Sequence, residues 1–329
     1  MRSLFRGLAA CLGMGLLMGL VMGLAPGATN AQPYPSRPIT IVVPFAAGSG
    51  TDSIARIIGQ YLSAALNQSV VIENKVGASG VLAATYVARA APDGYTLLMA
   101  TNSTHSANPH LFKSLGYDPV KDFAPVARAG SYVFMLVVNK DIPAKTLGEL
   151  IAYAKANPGK LTYASGNTTG IVAGETLKNK AGVDILHVPY KSTPPAINDV
   201  LGGRISMMFI DLAPGLEHVR AGNFRALAVT TRERSALLPD LPSLAEAGIP
   251  GYDVTSYAAL FAPAGTPKEI VDKLNAEVQK IIVNPEAKAR IAITGFDAFS
   301  GPPESLAAFV QSELANWGKL IKEAGIEPQ

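Results

Sequence analysis

Hydrophobic positions along this chain alternate between short unbroken runs and stretches with helical spacing. Residues 39–43, 70–72 and 95–99 are compact apolar runs that predict buried strands. Between the first two, Ile54, Ile57, Ile58, Leu62 and Leu66 recur on one helical face, and Asp52 reads as the cap that starts the helix. Residues 81–91 predict a second helix, closed by the turn signal Pro92-Asp93-Gly94. Strand, helix, strand, helix, strand is the pattern of a parallel sheet with helices on its faces.

A second series of the same kind follows. Strands are predicted at 133–138, 161–164, 185–188, 205–210 and 226–229. Helices are predicted at 146–156, 171–180 and 194–201, the first ended by Asn157-Pro158-Gly159 and the last by Gly202-Gly203. Long helical patterns then return. Thr266-Pro267-Lys268-Glu269 reads as a capping box before Ile270, Leu274, Val278 and Ile281. The final stripe of Leu306, Val310, Leu314, Trp317 and Ile321 reads as core packing. These helices are expected to pack back on the first unit. The second unit is then an insertion, with two crossing strands as the hinge.

The N-terminus departs from this picture. Arg2 and Arg6 precede an uncharged, Leu-, Met-, Ala- and Gly-rich run, and Thr29-Asn30-Ala31 resembles a peptidase site. We read 1–31 as an export signal cleaved near Ala31. The length of 329 residues suits two domains. Lobe 1 is expected at 32–132 and 255–329, and lobe 2 at 133–254. Lys+Arg 28 against Asp+Glu 25 leaves no basic footprint for nucleic acid. Cys11, the one cysteine, falls in the export segment, which excludes a disulfide framework in the mature chain. An exported, nearly neutral, cysteine-free chain points to the bacterial periplasm, and a monomer is expected.

Candidate chemistry gathers where predicted strands end. Pro44 to Asp52 carries a strand into a loop of small residues and then a helix start. The free N–H groups of Phe45, Ala47, Gly48, Ser49, Gly50 and Thr51 suit a carboxylate or phosphate; a plain tight turn is the alternative. Gly48-Ser49-Gly50 with Glu73 only half matches a dinucleotide fingerprint, lacking its third glycine. Asn102, Ser103, Thr104 and Ser106 form a dense set of hydrogen-bonding groups after the third strand. Ser165, Asn167, Thr168 and Thr169 hold the equivalent place in the second unit. Tyr190, Ser192 and Asp211 follow two further strands. Ligands of open α/β sheets bind outside the carboxyl ends of the strands, so these loops imply a cleft between the units. The four histidines show no metal-ligand spacing, and no Gly-x-Ser-x-Gly, His-Glu-x-x-His or Walker loop is present. No metal or cofactor is expected. His105 beside Ser103 and Thr104 is the one candidate base for a secreted enzyme.

Taken together, these segments resemble the Bug family, the periplasmic solute-binding proteins of tripartite tricarboxylate transporters. The resemblance is carried by Tyr34-Pro35-Ser36-Arg37-Pro38-Ile39, Val43-Pro44-Phe45, Ile72-Glu73-Asn74-Lys75, Ala91-Pro92-Asp93-Gly94-Tyr95, Thr104-His105-Ser106-Ala107-Asn108-Pro109 and His187-Val188-Pro189-Tyr190-Lys191, among others. It implies a two-lobed α/β protein of the periplasmic-binding (type II-like) fold. Such a protein closes on a small di-, tri- or aromatic carboxylate and delivers it to membrane transporter subunits. By the same resemblance, main-chain groups and hydroxyls at Phe45–Thr51 and Asn102–Ser106 face those at 165–169, Ser192 and Asp211 across the cleft. The chain departs from the family pattern at Ser49, at Ile171-Val172 and at Ser192, so the ligand does not carry over. Ile171-Val172 leaves room for an apolar or aromatic acid. A secreted enzyme using the same cleft, or a partner of a sensor kinase, remains an alternative.

Overall fold

A computed structural model describes residues 33–328, so the segment read as an export signal lies outside the described residues. From Arg37 onward the chain is one compact unit containing two sheets. β1 (Ile39–Val43), α1 (Gly50–Leu66), β2 (Val70–Asn74), α2 (Val81–Ala88) and β3 (Thr96–Thr101) follow in the expected order. β1 lies between β2 and β3 and is parallel to both. The chain then makes a π-helical turn at Ser103–Ala107, continues into α3 (Asn108–Leu111) and enters the ten-residue strand β4 (Phe123–Tyr132).

Val133 alone separates β4 from β5 (Phe134–Asn139), the first strand of the second sheet. That sheet is completed by α4 (Leu147–Ala156), β6 (Leu161–Ser165), α5 (Thr168–Ala181), β7 (Ile185–Pro189), α6 (Thr193–Leu201), β8 (Met207–Asp211), α7 (Leu212–Arg220) and β9 (Phe224–Val229). Its order is β7-β6-β8-β5-β9. β10 (Ser256–Pro263) returns to the first sheet, followed by α8 (Lys268–Val283), α9 (Pro285–Ile293), β11 (Phe296–Ala298) and α10 (Pro303–Glu323). The first sheet has the order β11-β4-β10-β3-β1-β2.

Both sheets are mixed, not parallel throughout as the alternating pattern predicts. β10 is antiparallel to β3 and β4, and β5 is antiparallel to β8 and β9. The reason is topological: a chain that leaves one sheet along β4 and returns beside it along β10 must run the opposite way. Local propensity carries no sign of this, because strand direction depends on a connection more than a hundred residues long.

Two helix starts also differ from expectation. Ser49, not Asp52, caps α1, its Oγ accepting the Asp52 N–H at 3.3 Å. Asp52 sits in the first turn and reaches back to the Gly48 N–H at 3.0 Å, closing the loop as a capping box does. Thr266 is not a cap either: its hydroxyl donates to the Pro263 carbonyl at 2.7 Å, and α8 starts at Lys268.

Two apolar cores hold the sheets. Val42, Leu98, Ala100, Tyr257 and Phe261 of the first sheet pack against Leu306 and Val310 of α10. Met135, Val137, Ala164, Met208 and Ile210 of the second pack against Ala196 and Val200 of α6. Trp317 is fully buried, with its indole N–H donating to Glu313. The last helix, α10, therefore packs on the first sheet.

Candidate functional site

The carboxyl ends of β1, β3, β6 and β8 converge where the two sheets meet. Loop β1–α1 is held from within. Asp52 receives Gly48 N–H, Arg56 Nε at 2.9 Å and Asn74 Nδ2 at 2.9 Å. Burial works to raise its pKa, but these hydrogen bonds prevail and hold the carboxyl below the ordinary carboxylate range. Asp52 is thus a loop brace, and part of the N–H array expected to cradle an anion is committed to it.

The polar loops meet one another directly. Ala46 N–H donates to Ser192 Oγ at 3.0 Å. Asn102 Nδ2 donates to Thr169 Oγ1 at 3.0 Å, and Thr168 Oγ1 donates to Ser103 Oγ at 2.6 Å. Each bond joins a residue on the first-sheet side to one on the second. Two glycines permit close packing here, one across the cleft and one within the second side. A Cβ on Gly50 would stand 2.1 Å from Asp211 Oδ1, and one on Gly166 would stand 2.3 Å from Thr193 N. Gly50 lets α1 press on the end of β8. Gly166 lets the β6–α5 loop press on the loop carrying Ser192, within the second sheet's own side.

At the centre lies a cavity of about 20 Å³ lined by Phe45, Thr51, Thr101, Asn102, Ser103, Tyr132, Phe134, Asn167, Thr169, Asp211 and Ser256. That volume corresponds to one water molecule. Of the residues singled out in the sequence, Phe45, Thr51, Asn102, Ser103, Asn167, Thr169 and Asp211 line it. Thr168 and Ser192 bridge the two sides beside it, and Gly50 abuts Asp211. Ser49 caps α1, while Ala47 and Gly48 are exposed on the loop.

Thr104 and Ser106 turn away. Thr104 Oγ1 donates to the Thr101 carbonyl, and Ser106 pairs with the Tyr257 hydroxyl at 2.7 Å. The expected polar loop is a π-helical turn, which carries this run of side chains from the cleft into the core. His105 lies there too. Its ring rests 4.7 Å from Phe123 and 4.1 Å from Phe261, and burial lowers its pKa to about 3. It is a neutral core imidazole and does not line the cavity.

Tyr190 lines a wider groove, and the buried Ser165 reaches it only through His187. Ser165 Oγ bonds His187 Nε2 at 2.6 Å, and His187 stacks on Tyr163. Tyr190 donates to Asp199 at 2.5 Å. Tyr190, His187, Ile171, Glu175 and Lys191 face Ala78, Ser79, Leu111 and Phe112 of the first side around about 620 Å³.

The sequence reading overlooked Tyr132, Phe134 and Ser256. All three sit at the two crossings between sheets; Ser256 donates to Asn102 Oδ1. The requirement for two crossing segments was the available signal, since a hinge beside a cleft lends its own side chains to the lining.

Two mixed sheets meeting over a polar cleft, with the chain crossing twice between them, define the two-lobed fold of the periplasmic binding proteins. Residues 54–326 match the family described as the tripartite tricarboxylate transporter family receptor, and the chain belongs to that family of solute-binding proteins. BugT of Bordetella pertussis is 34% identical over 90% of this chain and 92% of its own length. A Rhodopseudomonas palustris protein, Rpa4515, solved with adipate, superposes with a TM-score of 0.88 at 38% identity, over 90% of this chain and all of the other. MatC from the same organism, solved with bound malate, gives 0.81 at 35% identity, over 88% and 100%. Among the described residues no helix is long and apolar enough to cross a membrane.

Proposed function

We propose that this protein captures a small organic carboxylate between its two lobes in the periplasm and delivers it to membrane subunits of a tripartite tricarboxylate-type transporter. Lobe 1 comprises 32–132 and 255–329, lobe 2 comprises 133–254, and the chain acts as a monomer after cleavage near Ala31. The observation that carries the reading is the set of neutral donors and acceptors paired between the lobes: Ala46 N–H with Ser192, Asn102 with Thr169, and Ser103 with Thr168. These groups are already desolvated and oriented. A ligand entering between them exchanges each direct bond for one to itself, so the lobes close on contacts available from both sides only when closed. Adipate and malate in two relatives support a carboxylate as that ligand. The burial of His105 supports ligand capture over the enzymatic alternative.

The test is a thermal-shift and calorimetric screen of residues 32–329 against aliphatic, hydroxy- and aromatic mono-, di- and tricarboxylates. A stoichiometric heat with a rise in Tm and recovery of unchanged ligand is expected. Turnover of the ligand, or no shift with any carboxylate, overturns the proposal.

A further inference from the structure

The floor of the cleft holds two polar atoms without partners. Asp211 Oδ1 and the Tyr132 hydroxyl are buried, form no hydrogen bond and line the same 20 Å³ cavity. Tyr132 faces Thr51 without completing a hydrogen bond of acceptable geometry. An acidic side chain is an unexpected tenant here, because a bound carboxylate would face it as a like charge.

Among the described residues, no cationic side chain lines the cavity. Asp211 and Tyr132 are the titratable side chains on the cavity wall. On α1, the element pressed against Asp211 at Gly50, the charged pair is Asp52 with Arg56, committed to each other and to Asn74. On α5, Glu175 is taken by Lys178 and Tyr163. α7, which Asp211 precedes, carries Glu217, His218 and Arg220 in its later turns. Nor does an N–H of α1 satisfy Oδ1, which stays unbonded. Burial outweighs the lowering effect of the residue's own backbone N–H and pushes the carboxyl up to about 7.

We propose that Asp211 enters the closed cleft as the neutral acid and donates a hydrogen bond to the carboxylate ligand, so that each ligand anion is captured together with one proton. The inference rests on the carboxylate-capture reading above. Its physical basis is that of two carboxyl groups sharing a site: both cannot be ionised at contact distance in a dry cavity, and one proton between them turns repulsion into a charge-assisted hydrogen bond. In the open cleft Asp211 meets water and is ionised at neutral pH. Closure removes that water, since Gly50 and Thr51 of the opposite lobe cover the carboxyl. The closed, liganded state holds the extra proton, so affinity is greatest at low pH and falls as pH rises toward the pKa of the closed complex.

The decisive experiment titrates residues 32–329 with adipate, malate, succinate and benzoate by calorimetry. It is run between about pH 6.5 and 8.5, where these acids are fully ionised, in buffer pairs of different ionisation heat. For whichever acid binds, we expect uptake of close to one proton per ligand and a Kd rising up to about tenfold per pH unit. Asp211→Asn should show a Kd flat with pH and no proton uptake. A wild-type Kd constant within about twofold across the range, with no proton exchanged, overturns the proposal. If none of the four acids binds, the carboxylate reading fails, and the proposal, which rests on it, falls with it.

Discussion

Gly50 shows how much rests on one missing methyl group. Its Cβ position is 2.1 Å from a carboxylate oxygen of Asp211, so Gly50→Ala should keep the lobes apart at that point while leaving each lobe folded. We expect the affinity for a carboxylate to fall by at least about tenfold, because the ligand can no longer be gripped from both lobes at once. The change in Tm should be small; calorimetry and thermal melting read the two separately. His105 gives a second prediction at this scale. Its pKa of about 3 lies below the ordinary 6.5 because burial disfavours the charged ring. The unfolded chain therefore takes up a proton that the native state refuses, and stability is lost as pH falls from about 6.5 toward 3, by up to about 1.4 kcal/mol per unit. His105→Phe, placed between Phe123 and Phe261, should flatten that acid limb in urea titrations at pH 7 and pH 5; an unchanged slope would show that His105 protonates freely.

Elements explain which residues were readable and which were not. The helical stripe of α10 was plain in the sequence, and Trp317 is buried as that stripe implies. Trp317→Ala should cost about 3–5 kcal/mol in urea unfolding, the usual loss for emptying a large buried aromatic site. The end of this helix also bridges the lobes, for the Ala324 carbonyl accepts from Asn179 on α5 at 2.6 Å. Asn179→Ala should weaken ligand binding by a few-fold without lowering the melting temperature of the ligand-free protein, on the scale of one partly exposed hydrogen bond of about 1 kcal/mol. The π-helical turn after β3 escaped prediction. Asn102, Ser103, Thr104 and Ser106 look alike in one dimension. The extra backbone residue in the turn sends Asn102 and Ser103 to the cleft and Thr104 and Ser106 into the core. Polar composition identified the segment, and only helical phase could divide it.

At the scale of the whole molecule, strand and helix order was legible because each element carries its own apolar pattern. The mixed direction of the sheets was not, because it follows from where β4 and β10 cross. The same blind spot hid Tyr132, Phe134 and Ser256, whose place in the cleft comes from the crossings and not from a motif. If the lobes rotate about those crossings, a carboxylate ligand should lower the radius of gyration in small-angle scattering, and Gly50→Ala should blunt the decrease. Equal scattering with and without a bound ligand would argue for rigid lobes.

The crossings have a mechanical consequence. Tyr132, Phe134 and Ser256 are at once the fulcrum of any lobe rotation and part of the cavity wall, whereas Asn179 and Ala324 meet on a separate pair of helices. A load seated beside a fulcrum moves little when the lever swings. The inner seat can therefore flood or dry with a gap barely wider than a water molecule, while parts of the lever farther out sweep through larger arcs. Reporter groups placed far from the crossings will register the swing strongly, and groups placed at the seat will register chiefly the arrival of solvent.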